Sequence, residues 1–145
     1  MKGEGLLELS RTNWKTKAGM AVSVRGTSGG LATVWMEELF QLENSFETQH
    51  WIYIELRHKA SKLTFALFNL YVPVLYLEKK ECWKTLLDFL NSYSPINIVI
   101  VGYLNIILDP NEKRGGNNSI DPLLPLVADI TKQWDLLDLK PKKGR

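Results

Sequence analysis

Cysteine is almost absent from this chain of 145 residues. Because Cys82 has no second cysteine to pair with, an internal disulfide and a C-x-x-C metal site are both excluded. A chain without disulfides is typical of a reducing compartment. Cys82 lies beside Trp83 in a predicted helix, so we interpret it as a buried structural thiol.

Long apolar runs and a strong net charge are absent as well. No stretch approaches the roughly 20 apolar residues of a membrane helix, and the start of the chain lacks a signal-peptide core. We therefore expect an intracellular protein, nuclear or cytoplasmic. The 18 basic and 16 acidic residues give a formal net charge of +2, so composition alone does not predict a nucleic-acid partner. The strongly basic segment "KPKKGR", residues 140–145, is interpreted as a solvated C-terminal end.

The overall composition, 45% hydrophobic and 23% charged residues, favours one ordinary domain. Residues 1–19 mix polar and small residues without clear periodicity, so this segment is poorly specified. Residues 20–145 are expected to form one partial domain.

Strand patterns occupy the first half of that domain. The segments "MAVSV" and "LATVWM" predict a hairpin around the turn "RGTSGG". In "QHWIYIELRH" the residues alternate, which predicts a strand with one face on the core, formed by Ile52, Ile54 and Leu56. The segment "KLTFALFNLYVP" is apolar on both faces, which predicts an interior strand.

Helical patterns occupy the second half. A spacing of three and four residues between Tyr76 and Leu90 predicts a helix that ends before Pro95. A strand over residues 96–101 follows, and "LLPLVADITKQWDLLDL" predicts a second helix from the spacing of Leu126, Ile130, Trp134 and Leu137. This order of elements indicates an α/β fold.

The strand in "INIVIVGYLNIILDP" ends at Gly102 and is followed by Tyr103, Leu104 and Asn105. The end of a buried strand is a common position for functional side chains, because the sheet holds it rigid while the loop stays accessible.

Three segments resemble motifs of the endonuclease/exonuclease/phosphatase superfamily. "IVIVGYLNIIL" resembles its G-D-x-N strand, "GTSGGLATVW" its S-G-G-ϕ-x-ϕ-x-W hairpin and "FNLYVP" its N-x-Y-x-P strand, in the family's order and spacing. The loop "NEKRGG" and the segment "WDLLDLKPKKGR" make the chain most similar to the endonuclease domain of LINE-type, non-LTR retrotransposons, particularly those of plants.

The resemblance implies a partial DNase I-like four-layered α/β sandwich. Two mainly antiparallel sheets would pack together between flanking helices, and the N- and C-terminal strands of the family would be missing. The implied reaction is magnesium-dependent hydrolysis of DNA phosphodiester bonds, with DNA as the partner and no small-molecule cofactor or membrane.

Carried over by position, the resemblance matches Asn105 to the motif asparagine and Tyr71 to the tyrosine of N-x-Y-x-P. The motif aspartate falls on Tyr103. A phenol, with a pKa of about 10, is neutral at pH 7 and is a poor ligand for a hard divalent ion. Lys113 and Arg114 in the polar loop are candidates for contacts with nucleic acid.

Other family positions are not matched. Glu4, Glu8 and Asn13 lie in no buried-strand pattern, so no metal ligand is assigned to them, and Asp109 is interpreted as a turn residue before Pro110. The segment that contains the family's catalytic histidine would follow residue 145. The two histidines present, His50 and His58, are interpreted as solvated strand ends.

Three hypotheses follow from this pattern. The first is a degenerate, inactive fragment of a LINE endonuclease domain that does not bind magnesium productively. The second is a non-catalytic nucleic-acid-binding module that uses Lys113, Arg114 and the basic end. The third is an active endonuclease.

Overall fold

The structure is a computed structural model that describes residues 18–23, 30–109, 111, 113, 115, 116 and 119–139. The chain divides into two compact units, Met1–Asn105 and Ile106–Arg145. The poorly specified N-terminal segment, apart from its last two residues, lies outside the described residues. Those two residues, Ala18 and Gly19, belong to the first strand, which therefore begins slightly earlier than predicted.

The predicted hairpin is confirmed. Strand β1 (Ala18–Ser23) pairs antiparallel with β2 (Gly30–Trp35), and Ala18 lies opposite Trp35. The predicted turn between them lies outside the described residues. Ala18, Leu31 and Trp35 are buried, so the apolar face of the hairpin belongs to the core.

A four-stranded sheet forms the centre of the first unit, in the order β3-β4-β5-β6. Its strands are β3 (Phe40–Glu47), β4 (Trp51–His58), β5 (Thr64–Tyr71) and β6 (Ile98–Tyr103). The pairs β3–β4 and β4–β5 are antiparallel, whereas β5–β6 is parallel because a helix connects these two strands. The interior position predicted for β5 is confirmed.

The prediction that only one face of β4 meets a core is wrong. Ile52 and Ile54 pack with the hairpin as expected, but Trp51 and Tyr53 on the opposite face are also fully buried. Phe89 of the connecting helix covers them, with ring centroids 5.2 Å from Trp51 and 4.9 Å from Tyr53. Hairpin, sheet and helix therefore form three successive layers.

The connecting helix, α1, spans Tyr76–Tyr93 and ends as the sequence predicts. Ser94 adopts a left-handed conformation (φ 45°) and its N–H donates to the carbonyl of Leu90 at 2.8 Å. Pro95 follows and cannot continue the helix. Cys82, Leu86 and Leu90 form part of its buried face.

The second helix, α2 (Leu124–Gln133), is shorter than predicted. Val127 and Ile130 are buried, but Asp135 adopts a left-handed conformation (φ 52°), and Leu137 is 83% exposed. The prediction that the helical stripe continues to Leu137 is therefore wrong, because the backbone leaves the helical conformation at Asp135. Within the described ranges, no helix is long and apolar enough to cross a membrane.

Candidate functional site

The carboxyl ends of β5 and β6 bring Tyr71 and Tyr103 together. The parallel register places the two residues opposite each other, and their ring centroids are 5.8 Å apart with planes inclined by 32°. Tyr103 is the last residue of β6, so it lies on the strand and not in the loop that the sequence predicted. Its side chain is 58% exposed.

Gly102 permits this close approach of β6 to β5. A Cβ atom built on Gly102 would lie 2.1 Å from the carbonyl oxygen of Leu70 and 2.8 Å from its amide nitrogen. The φ angle of Gly102 is +117°, which L-residues with a side chain rarely adopt. Glycine is therefore required at this position for backbone reasons alone.

Asn105 is held against the segment that follows β5. Its Nδ2 donates to the carbonyl of Val72, and its φ of 48° lies in the left-handed region that asparagine tolerates better than most residues. The N–H of Val72 in turn donates to the carbonyl of Tyr103 at 2.8 Å. Val72, which follows β5, and residues 103–105 at the end of β6 are thus joined by two hydrogen bonds, one donated from each side.

Asn69, two residues before Tyr71, connects the sheet to the hairpin. Its Nδ2 donates to the carbonyl of Ala32 and to Oγ1 of Thr33, both at 3.1 Å. The sequence did not assign a role to this residue. The position of Asn69 in the N-x-Y-x-P segment could have indicated this role, because a half-buried amide on a strand that packs against the hairpin needs hydrogen-bond partners.

The donor atoms at this edge do not fit a magnesium ion. Mg²⁺ prefers carboxylate oxygens in an octahedral arrangement, whereas Tyr71 and Tyr103 offer phenol hydroxyls and Asn105 offers one amide oxygen. Among the described residues, no group of three or more histidine, cysteine, aspartate or glutamate side chains is arranged to hold a metal ion.

The two histidines lie at opposite ends of β4, as predicted, and each is half-buried. With a rise of about 3.4 Å per residue, the eight steps from His50 to His58 place their Cα atoms about 27 Å apart, too far for joint chemistry. His58 is half-buried, with its ring 5.3 Å from that of Phe40 and its Nδ1 2.9 Å from Oγ of Ser61.

His50 is also half-buried and lines a cleft of about 370 Å³ with Glu78 and Cys82. Its Nε2 lies 2.9 Å from Nε2 of Gln49, and its Nδ1 is buried. Burial lowers the pKa of His50, and the negative charge of Glu78 opposes that shift. His50 and His58 thus lie at the strand ends as predicted, and both are half-buried there.

Cys82 lies on α1, and its thiol is buried as predicted. Burial raises the pKa of the Cys82 thiol to about 12. Such a thiol is protonated at neutral pH and is a poor nucleophile.

The polar loop belongs to the second unit. Asp109 accepts hydrogen bonds from the backbone N–H of Asn111 at 3.0 Å and from its Nδ2 at 2.9 Å, which is the turn role that the sequence predicts. Nζ of Lys113 donates to the carbonyl of Ser119 at 3.2 Å. Arg114 and Pro110 lie outside the described residues, as do Glu4, Glu8 and Asn13.

The comparisons with known proteins support the fold and nothing finer. No family model and no curated protein matches the sequence. Among solved structures, the chain is similar to the catalytic domain of human Nocturnin, determined with a bound sulfate anion, with a TM-score of 0.52 and 15% sequence identity. The match covers 73% of this chain and 49% of that one, so this chain spans about half of that domain's length.

This similarity agrees with the fold that the sequence implies. The described residues form a mixed α/β architecture with two sheets and few helices, which matches part of a DNase I-like fold. The predicted fold class is thereby confirmed.

Proposed function

We propose that this chain is a degenerate fragment of a LINE-type retrotransposon endonuclease domain and that it does not hydrolyse DNA. One observation supports the proposal above all others. Tyr103 occupies the end of β6, beside Tyr71 and two residues before Asn105, where the motif resemblance expects an aspartate.

The substitution removes the group that the family's chemistry needs. In the implied reaction the aspartate orients and deprotonates the attacking water, and loss of a positioned general base costs about 10²–10⁴ in rate. Tyr103 offers a phenol where this step uses a carboxylate. Asn105 and Tyr71 are, in this proposal, vestiges of the site.

The geometry adds a steric argument. The Tyr103 ring lies against the ring of Tyr71, with 5.8 Å between centroids, so the phenol fills space next to the other vestigial side chain. The amide of Asn105 is also engaged, because one of its two N–H groups donates to Val72. A phosphate would therefore meet a bulky ring and a partly occupied amide.

A plasmid-nicking experiment tests the proposal. Purified protein is incubated with supercoiled plasmid and magnesium, and conversion to the open circle is measured beside an Asn105→Ala variant prepared in the same way. We expect no conversion above buffer in either sample. Nicking by the unsubstituted chain that disappears in Asn105→Ala would overturn the proposal, whereas equal nicking by both would indicate a contaminating nuclease.

Restoring the carboxylate is a sharper version of this experiment. We expect Tyr103→Asp to remain inactive, because it supplies one carboxylate to an edge at which Tyr71 and Asn105 offer no second one. Appearance of magnesium-dependent nicking in this variant would show that Tyr103 alone accounts for the inactivity.

The retrotransposon origin has a separate test. We expect the genomic sequence downstream of this coding region to encode further endonuclease motifs, followed by a reverse transcriptase. Flanking sequence that instead encodes an unrelated, continuous reading frame would contradict the LINE assignment.

We further propose that DNA binding is weak or absent. Lys113 donates to the carbonyl of Ser119 within its own loop, so its ammonium group is already engaged. A gel shift over a series of salt concentrations measures this, because phosphate contacts weaken steeply as salt rises. A tight, salt-sensitive shift would favour the nucleic-acid-binding module instead.

A further inference from the structure

The outer edge of β6 has no strand beside it within the described part of the chain. The sheet order is β3-β4-β5-β6, so β3 and β6 are its two edges. An edge strand exposes a row of unpaired N–H and C=O groups that can pair with another chain, and monomeric proteins usually block such edges with charges, prolines, bulges or short length.

The opposite edge shows these protective features. Strand β3 contains Glu43 and Glu47, and its pairing with β4 is interrupted by a register shift between Leu42 and Asn44. A bulge twists the edge, and charged side chains oppose the approach of a second identical strand.

Strand β6 has neither a charged side chain nor a register shift. Its sequence, "IVIVGY", contains no charge and no proline, and residues 89–108 contain no charged side chain at all. Val99 and Val101, on the face that also bears Tyr103, are 41% and 42% exposed. The two edges of one sheet therefore differ sharply in how they meet a neighbouring strand.

The hydrogen-bond pattern identifies which groups are available. The carbonyls of Asn97 and Tyr103 accept from β5 and from Val72, so the odd-numbered residues of this strand direct their backbone groups inward. Because both polar groups of a strand residue point to the same side, Ile98, Ile100 and Gly102 direct theirs to the outer edge.

We propose that β6 pairs with β6 of a second copy of this chain, antiparallel and about a two-fold axis at Ile100. This register places Ile100 opposite its own copy and Ile98 opposite Gly102, so the outward groups of both strands meet each other. Val99 then lies opposite Val101 of the second copy on the same face. Two four-stranded sheets become one eight-stranded sheet, and the inference does not depend on the proposed function.

A second copy fits this edge better than a charged partner does. A two-fold interface brings each patch against itself, so a charged strand would repel its copy, whereas an uncharged strand of β-branched residues does not. The net charge of +2 is also too small to keep two copies apart.

Sedimentation velocity over a wide range of protein concentration tests the proposal. We expect a reversible monomer–dimer equilibrium, and we expect Val101→Lys to raise its dissociation constant by about tenfold or more, since each copy places a lysine beside the two-fold axis. The matched control is Leu42→Lys on β3, where the leucine is 37% exposed, and it should leave the dissociation constant unchanged. Circular dichroism confirms that both variants are folded.

Amide hydrogen exchange provides a second readout. The amides of Ile98 and Ile100 should become protected as concentration rises, and Val101→Lys should abolish that dependence. A monomer at all concentrations, a dimer indifferent to Val101→Lys, or open-ended aggregates would each overturn the proposal. A monomer with both amides protected would also overturn it and would show that another segment of the same chain occupies the edge.

Discussion

Asn105 and Val72, 33 residues apart in the sequence, are joined by a hydrogen bond from the Asn105 side chain to the Val72 carbonyl. The N–H of Val72 donates to the carbonyl of Tyr103, two residues before Asn105. The two hydrogen bonds together close a small ring of contacts at the ends of β5 and β6. Asn105, which the motif resemblance matches to the family's asparagine, thus has a structural role in this chain.

The structural role predicts a loss of stability when Asn105 is replaced. Asn105→Ala removes the bond to Val72 and places a β-carbon in a left-handed conformation that alanine tolerates poorly, so we expect a loss of about 1–3 kcal/mol in the free energy of unfolding. Asn105→Gly also loses the bond but tolerates φ of 48°, so it should cost less. Urea unfolding measures both, and equal stability of Asn105→Ala and the unsubstituted chain would contradict this role.

Gly102→Ala should be more damaging. The new Cβ would lie 2.1 Å from a backbone oxygen of Leu70, which cannot move without breaking the β5–β6 pairing, so we expect a loss of more than about 2 kcal/mol. Gly115→Ala is the matched control, since Gly115 also has a positive φ (78°) but no atom within 4 Å of the added carbon. It should cost only about 1 kcal/mol. Similar losses in the two variants, compared by urea unfolding, would show that the contact with Leu70 is not decisive.

The sequence was informative where one physical signal dominated. Two short strand segments around a glycine-rich turn predicted the hairpin, and an apolar run on both faces predicted the interior strand β5. A spacing of three and four residues predicted the helix ended by Pro95, and motif resemblance predicted the fold class. It did not reveal β3, whose sequence "FQLENSFE" is mostly exposed and has little apolar pattern. It also misjudged the second face of β4, because burial of Trp51 and Tyr53 is decided by Phe89, which lies far away in the sequence.

The candidate site shows the same division. The sequence predicted that Tyr103 lies near the end of this strand, although it placed the residue in the loop and not on β6. The hydrogen bond of Asn105 to Val72 depends on the parallel pairing of β5 with β6, which no local pattern specifies. The environment of His50 was missed for the same reason, because Glu78 and Cys82 of α1 reach it only in the folded chain.

The buried thiol of Cys82 should make stability fall in alkaline solution. Its pKa is raised to about 12 in the folded chain, so the unfolded chain, with an ordinary thiol pKa of about 8.5, loses the proton first as pH rises. Stability that is fully present below about pH 8.5 is then lost toward pH 12, with a slope approaching 1.4 kcal/mol per pH unit. Unfolding free energies between pH 8 and 10 should fall less steeply for Cys82→Ala, and parallel profiles would contradict the assignment.

His50 should have the opposite dependence on pH. Its folded pKa is lowered by burial, so the unfolded chain binds the proton more readily, and the stability present above the ordinary value of about 6.5 is lost as pH falls. Glu78 opposes this shift, so Glu78→Gln should lower the pKa of His50 further and steepen the loss of stability between pH 7.5 and 5.5. The His50→Gln variant should flatten the same profile, and adding His50→Gln to Glu78→Gln should remove the steepening. Chemical unfolding across this range measures each slope, and a Glu78→Gln effect that persists without His50 would show that the carboxylate acts on another group.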